Sequence, residues 1–215
     1  MTTEAAAADV PGSTTDDRRG PGRPRNAEDA RAIVAAALEM LADDGYHRRS
    51  IEAVAARAGV GKATVYRRWP GKHELVADAL ASLNEGMPEL PPASLTTRER
   101  ALVLMEHACR KDPLSLPGRI LPRMMAYRVS HPELFDLYVN QVLEPRRERL
   151  RQVLRDGIER GEVRADLDVV LAASALTAPS LLMTMCLPVG EALPAGTVHR
   201  LADIVWPGIE ASPAR

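Results

Sequence analysis

Residues 50–72, SIEAVAARAGVGKATVYRRWPGK, constrain the fold more tightly than any other stretch of the chain. Ile51, Val54, Ala55 and Ala58 recur at i, i+3, i+4 and i+7, which is one apolar face of a helix. Gly59 stands where a helix end needs positive φ, a conformation that a residue without Cβ adopts at no steric cost. Val60 then turns inward, and Lys62 to Trp69 reads as a second short helix with Val65 and Trp69 as i,i+4 partners. Its outward residues Lys62, Thr64, Tyr66, Arg67 and Arg68 all donate hydrogen bonds. Two short helices around a glycine turn, with a basic and hydroxyl-rich outer face, form a helix-turn-helix suited to DNA.

Bulk charge hides this face. The formal net charge is −1, yet residues 48–72 hold seven cations against Glu52 alone, a local +6, while residues 1–17 carry a net −4. Phosphate neutralisation responds to local charge, so the stripe and not the total is informative. Aromatics are 3% of the chain, so a core must be built from Leu, Val, Ala and Met. Alternating patterns are scarce and Ala, Leu, Arg and Glu abound, which predicts an all-α protein. Cys109 and Cys186 are too few and too far apart for a disulfide framework. The longest apolar run, Val169 to Leu187, is interrupted by Pro179 and several hydroxyls, and the amino terminus has no signal-peptide stretch. A soluble, cytoplasmic protein without a membrane partner is expected.

Gly and Pro punctuate the rest. Residues 1–25 read as a disordered arm whose cations, Arg23 and Arg25 among them, suit a DNA minor groove. Asn26 is placed to cap a helix from Ala27 to Asp44, and Ser50 to cap the next. Pro70-Gly71 forces a break before a helix led by Lys72. Residues 26–85 thus form one compact unit, and Pro88, Pro91 and Pro92 mark its boundary. Over 95–215, helices are expected at about 96–111, 118–129, 132–160, 167–186 and 195–210. Pro145 should kink or divide the third of these, and Asp166 should cap the fourth with Asp168 in its first turn.

The stretch from Asn26 to Leu83 resembles the DNA-binding domain of the tetracycline-repressor (TetR) family of transcriptional regulators. AGVGKATVYRRWPGKHEL at 58–75 carries the most specific part of the likeness, preceded by Ser50-Ile51-x-x-Val54-Ala55. PRRERLRQVLRDGIERGEVRADLD at 145–168 is more loosely similar to a ligand-binding domain of that family. The resemblance implies that Ser50, Tyr66 and Lys72 bond phosphates, with Arg68 beside them. It implies that Lys62, Ala63, Thr64 and Arg67 face base edges or the flanking backbone. Gly61 replaces a common capping Ser, Ala63 a common Gly, and Trp69 a Phe.

By the same resemblance the protein is a homodimer joined through helices 167–186 and 195–210, reading a palindromic operator on double-stranded DNA. Leu171, Ala175, Ala178, Leu182, Val198, Leu201, Val205 and Ile209 are the interface candidates, with ordinary core as the other reading. The remaining helices would enclose a mostly apolar pocket for a small-molecule effector that releases DNA. Met105, Cys109, Met124, Met125 and Met183 offer adaptable apolar surface, and Arg128, Tyr138, Gln141 and Thr184 polar specificity. The alternative is a ligand-independent, low-specificity DNA-binding dimer. The five histidines are scattered, with no HExxH, nucleophile elbow or phosphate-binding glycine loop, so no enzyme, metal site or cofactor is expected.

Overall fold

The computed structural model describes residues 23–43, 50–87, 89–109, 115–188 and 190–212. Helices account for nearly all the regular structure there, and the only β pairing is one antiparallel bridge between Val163 and Glu210. The amino-terminal group comprises α1 (Arg23–Asp43), α2 (Ile51–Arg57), α3 (Lys62–Arg68) and α4 (Lys72–Ala81), with a 3₁₀ turn over Ser82–Asn84. After the proline stretch come α5 (Thr97–Cys109), α6 (Leu116–Ser130), α7 (Pro132–Tyr138), α8 (Glu144–Glu159), α9 (Val169–Cys186) and α10 (Thr197–Val205).

Local chemistry accounts for most boundaries. Ser50 caps α2, its hydroxyl accepting from the Ala53 amide at 3.3 Å. Gly59 has φ 69°, as the turn between α2 and α3 requires. Gly61 caps α3 without a side-chain bond. Two caps differ from expectation. Helix α1 starts at Arg23, ahead of Asn26, because Pro24 in a first turn needs no amide partner and brings φ already set for a helix. Arg23 and Arg25 therefore lie on a helix rather than on an extended arm, whose remaining residues 1–22 fall outside the described residues. At α9 the cap is Asp168, which accepts from the Val170 and Leu171 amides at 2.9 and 3.0 Å, while Asp166 pairs with Arg164.

Pro145 divides the long helix by an identifiable route. The five residues before α8, Val139–Leu143, form a π turn, and the Glu144 amide reaches back to the Val139 carbonyl. Pro145 has no N–H to return to the Gln141 carbonyl, and that oxygen accepts instead from Nδ2 of Asn84 at 2.8 Å. Pro179, by contrast, leaves α9 unbroken across 18 residues. By length and composition alone this helix could cross a bilayer. It is packed along one side, where Ala172, Ala173, Leu176 and Ser180 are buried.

The hydrophobic interior forms two clusters. One joins Ile33, Leu41, Val54, Val65, Trp69, Leu75 and Leu80 of the first four helices to Ile120, Met124, Leu134, Tyr138 and Val142. The other packs α5, α8, α9 and α10 around Leu104, Met105, Leu150, Leu154, Leu176 and Trp206. The proline stretch is thus a boundary in the chain but not in the packing, since α6 and α7 complete the core of the amino-terminal helices. A buried Arg100 guanidinium ties α5 to α8 through the Asp156 carboxylate at 2.8 Å, and also donates to the Pro91 carbonyl. Gly157 lets these helices approach, because a Cβ there would lie 2.6 Å from the Thr97 methyl.

Candidate nucleic-acid interface and ligand cavity

Helix α3 is held by what it buries. Val65 is fully enclosed and Trp69 is 2% exposed. The Trp69 backbone amide closes the helix on the Val65 carbonyl at 2.9 Å, and its indole N–H donates to Asp78 of α4 at 2.8 Å. The larger ring that replaces phenylalanine thus satisfies its polar edge. With that face buried, Lys62, Ala63, Tyr66, Arg67 and Arg68 are exposed and Thr64 is half-buried. The Arg68 guanidinium stacks over the Trp69 ring at 5.2 Å, within cation–π range.

The flanking positions share this surface. Ser50 is exposed at the start of α2, and Lys72 is half-buried in the first turn of α4, where burial holds its ammonium pKa below the ordinary value. A cation in a first turn also opposes the helix dipole, and a phosphate there would relieve both costs. Glu52 is an acid in the first turn of α2, within reach of α3. The Tyr66 hydroxyl donates to it at 3.4 Å. The Ser50 hydroxyl foremost, then its own backbone amide, Tyr66 and Lys62, hold the Glu52 carboxyl below the usual carboxylate range. Arg57, part of the sequence's basic stripe, turns away to Glu39 of α1 at 3.0 Å, and Arg48 and Arg49 lie outside the described residues.

Behind these helices lies a cavity of about 740 Å³, within the range of small-molecule sites. Its wall draws on the end of α1, the turn after α4, and α5 through α9. Of the expected pocket residues, Met105, Cys109, Tyr138 and Thr184 line it. Burial pushes the Tyr138 hydroxyl up to about 12 and raises the Cys109 thiol, so both are neutral donors.

The other expected residues lie elsewhere. Met124 is fully buried in the amino-terminal core and Met125 packs against that core. Arg128 and Met183 are exposed and outside the lining, and Gln141 is engaged through its carbonyl with Asn84. Sequence reasoning missed the cavity's arginines. Arg119 pairs with Asp43, and Arg123 donates to the Ala42 and Asp43 carbonyls at the end of α1. Arg146 donates from Nε to the Asn84 side-chain oxygen at 2.7 Å and from Nη2 to the Leu83 carbonyl at 3.1 Å. The signal for Arg146 was Pro145, which marks where a backbone carbonyl must find a new donor. Among the described residues no cluster of His, Cys, Asp or Glu has metal-binding geometry.

Comparison with known proteins places this geometry. The model for bacterial regulatory proteins of the tetR family matches residues 33–79, and that for the tetracyclin repressor-like C-terminal domain matches 91–205, more than half the chain. The chain belongs to the TetR family. An uncharacterized HTH-type transcriptional regulator of Mycobacterium tuberculosis is 34% identical over 145 residues, covering 66% of this chain and 67% of its own. The DNA-binding transcriptional repressor TetR of Mycobacteroides abscessus is 30% identical over 178 residues, 81% of this chain and 90% of its own. The solved structure of the flavonoid-responsive regulator FrrA superposes with a TM-score of 0.68 at 18% identity, covering 87% of this chain and all of that one. This TetR-family chain is therefore a DNA-binding transcriptional regulator with an all-α fold, and its relatives are regulators rather than enzymes.

Proposed function

We propose that the protein is a homodimeric repressor that reads a palindromic operator and releases it when a small, mostly apolar effector fills the cavity. The observation that carries this reading is the shared wall. The same segments that end α1 and α4, which frame the recognition helix, form part of the cavity lining through Ala42, Asp43 and Leu83. An occupant that favours one position of these segments shifts the orientation of α3. Only its differential affinity for the two arrangements drives that shift. The responsiveness named for FrrA and the repressor role named for the M. abscessus relative agree with this reading.

Thr64, with Lys62, Ala63 and Arg67, reads bases in this proposal, while Ser50, Tyr66, Arg68 and Lys72 clamp phosphates. Dimerisation uses the outward stripe of α9. Leu171 and Leu182 are 67% and 63% exposed, Ala175 and Ala178 lie between them with Ala178 also bordering the cavity, and Ile204 of α10 is 77% exposed. Val198 and Ile209, also candidates from sequence, are buried in their own chain. The hydroxyls of Ser174, Thr177 and Thr184 fall on the cavity side of α9 and each bond the carbonyl four residues back. A long, exposed apolar helix in a DNA-binding regulator is best covered by its own copy, and the compartment that fits is the cytoplasm.

Selection of bound sequences from random DNA tests the proposal. A palindromic consensus with half-sites one helical turn apart is expected. Thr64→Ala should then change the preferred bases, not only the affinity. Enrichment of no sequence over background would favour a low-specificity, ligand-independent binder and refute the operator reading.

A further inference from the structure

The cavity's arginines are not equivalent. Arg119 has the Asp43 carboxylate, Arg123 has the carbonyl end of α1, and Arg147 faces Glu144 at 3.8 Å. Arg123 and Arg146 have only neutral acceptors, but Arg123 makes three bonds to the carbonyl end of α1, whereas Arg146 makes one each to Asn84 and Leu83. Those two bonds use two of its five N–H donors. Burial lowers its guanidinium pKa, and Tyr138, whose negative charge would offset that, stays protonated to about pH 12. A guanidinium withdrawn from water without an anion is a debt that structures normally settle. Here the space left open beside it is the cavity.

Building on the effector-binding reading above, we infer that the cavity takes an amphipathic monoanion, a carboxylate on an apolar body, and that its carboxylate pairs with Arg146 and draws the guanidinium from Asn84. The planar guanidinium of Arg146 matches one planar carboxylate in a bidentate pair. The apolar body faces Leu104, Met105, Leu121, Val142 and Leu150. The exchange reaches DNA because Asn84 bridges two things at once. Its oxygen holds Arg146 and its amide fills the Gln141 carbonyl that Pro145 leaves without a donor. Loss of the arginine frees the turn that ends α4, so the ionic contact in the cavity and the position of α4 become one equilibrium.

Isothermal titration calorimetry of the full-length protein with dodecanoate and with 1-dodecanol, below their aggregation limits, separates the outcomes. Dodecanoate should bind at least about tenfold tighter than the alcohol, the scale of a charge-assisted pair. Arg146→Gln should abolish that preference, so that dodecanoate and dodecanol bind with equal affinity, and the retained dodecanol binding reports that the cavity persists. Asn84→Ala, which removes the competing acceptor, should tighten dodecanoate binding and not dodecanol binding. Equal affinity of the two probes in the wild-type protein, or a carboxylate preference that survives Arg146→Gln, overturns the inference and leaves effector binding standing. Unchanged or weaker dodecanoate binding in Asn84→Ala overturns the exchange. Binding of neither probe refutes the apolar effector pocket itself, and the inference with it.

Discussion

The bond between Trp69 and Asp78 fixes the recognition helix to α4, and its removal makes a quantitative prediction. The indole N–H belongs to a residue 2% exposed, and its acceptor is a carboxylate at 2.8 Å. A hydrogen bond to a charged group contributes about 1.5–3 kcal/mol, and an unsatisfied buried donor costs about 1–3 kcal/mol. Asp78 itself reaches solvent, so Asp78→Ala buries no new charge and loses only the bond. A destabilisation of about 2 kcal/mol follows. For a chain of this size that is a fall in Tm of about 4–8 °C. Far-UV circular dichroism at fixed protein concentration is the suitable assay, because Trp69→Phe removes one of the two tryptophans that fluorescence would follow. In the Trp69→Phe background there is no donor to orphan, so Asp78→Ala should cost less than about 0.5 kcal/mol. An equal cost in both backgrounds would mean that Asp78 acts through something other than the indole, and the reasoning fails.

Glu52→Gln removes a negative charge from beside α3 while keeping an amide oxygen to accept from the Tyr66 hydroxyl. Fluorescence anisotropy should show tighter binding and a salt slope steeper by about 0.9 per half-site, and an unchanged slope would place Glu52 away from phosphates. Leu182→Arg with Ile204→Glu should convert a dimer to a 23.4 kDa monomer in analytical ultracentrifugation, and a persistent dimer would move the interface elsewhere. Asp156→Ala leaves the Arg100 guanidinium buried without its partner, at a cost of about 3 kcal/mol. Burial pushes the Asp156 carboxyl up, but the bonds from Gln152 and Arg100 outweigh it and hold it below 3.8. Its contribution is therefore complete above pH 3.8 and is lost as pH falls through the lower folded value, so Asp156→Ala should flatten the acid limb of the stability curve only there.

The DNA-facing half was legible because its signals are local. Ile51, Val54, Gly59, Val65 and Trp69 each act within a turn or two of the chain, and glycine and proline fix the ends of α2, α3 and α4. Two helix starts differ: Pro24 carries α1 back past Asn26, and at α9 Asp166 and Asp168 satisfy the same pattern while only Asp168 reaches the amides. The cavity was less legible because no local rule builds it. Met105 and Met124 look alike in sequence, yet one lines the cavity and the other fills a core, depending on helices distant along the chain. Arg146 sits in a run, PRRERLR, that reads as a solvated helix face. Its significance depends on Asn84, which is 62 positions away.

The continuity of the first hydrophobic cluster through α6 and α7 bears on how such a regulator can be re-engineered or can diverge. A reading head cut off at the proline stretch would carry raw apolar surface where Ile120, Met124 and Leu134 belong. Transplanting it onto a relative's sensor would set two unrelated sets of side chains against each other at that seam. The exposed residues of α3 can therefore be changed without touching the seam. New pairings of reader with sensor must exchange α6 and α7 along with the reader, so the unit of inheritance is larger than the sequence motif that announces it.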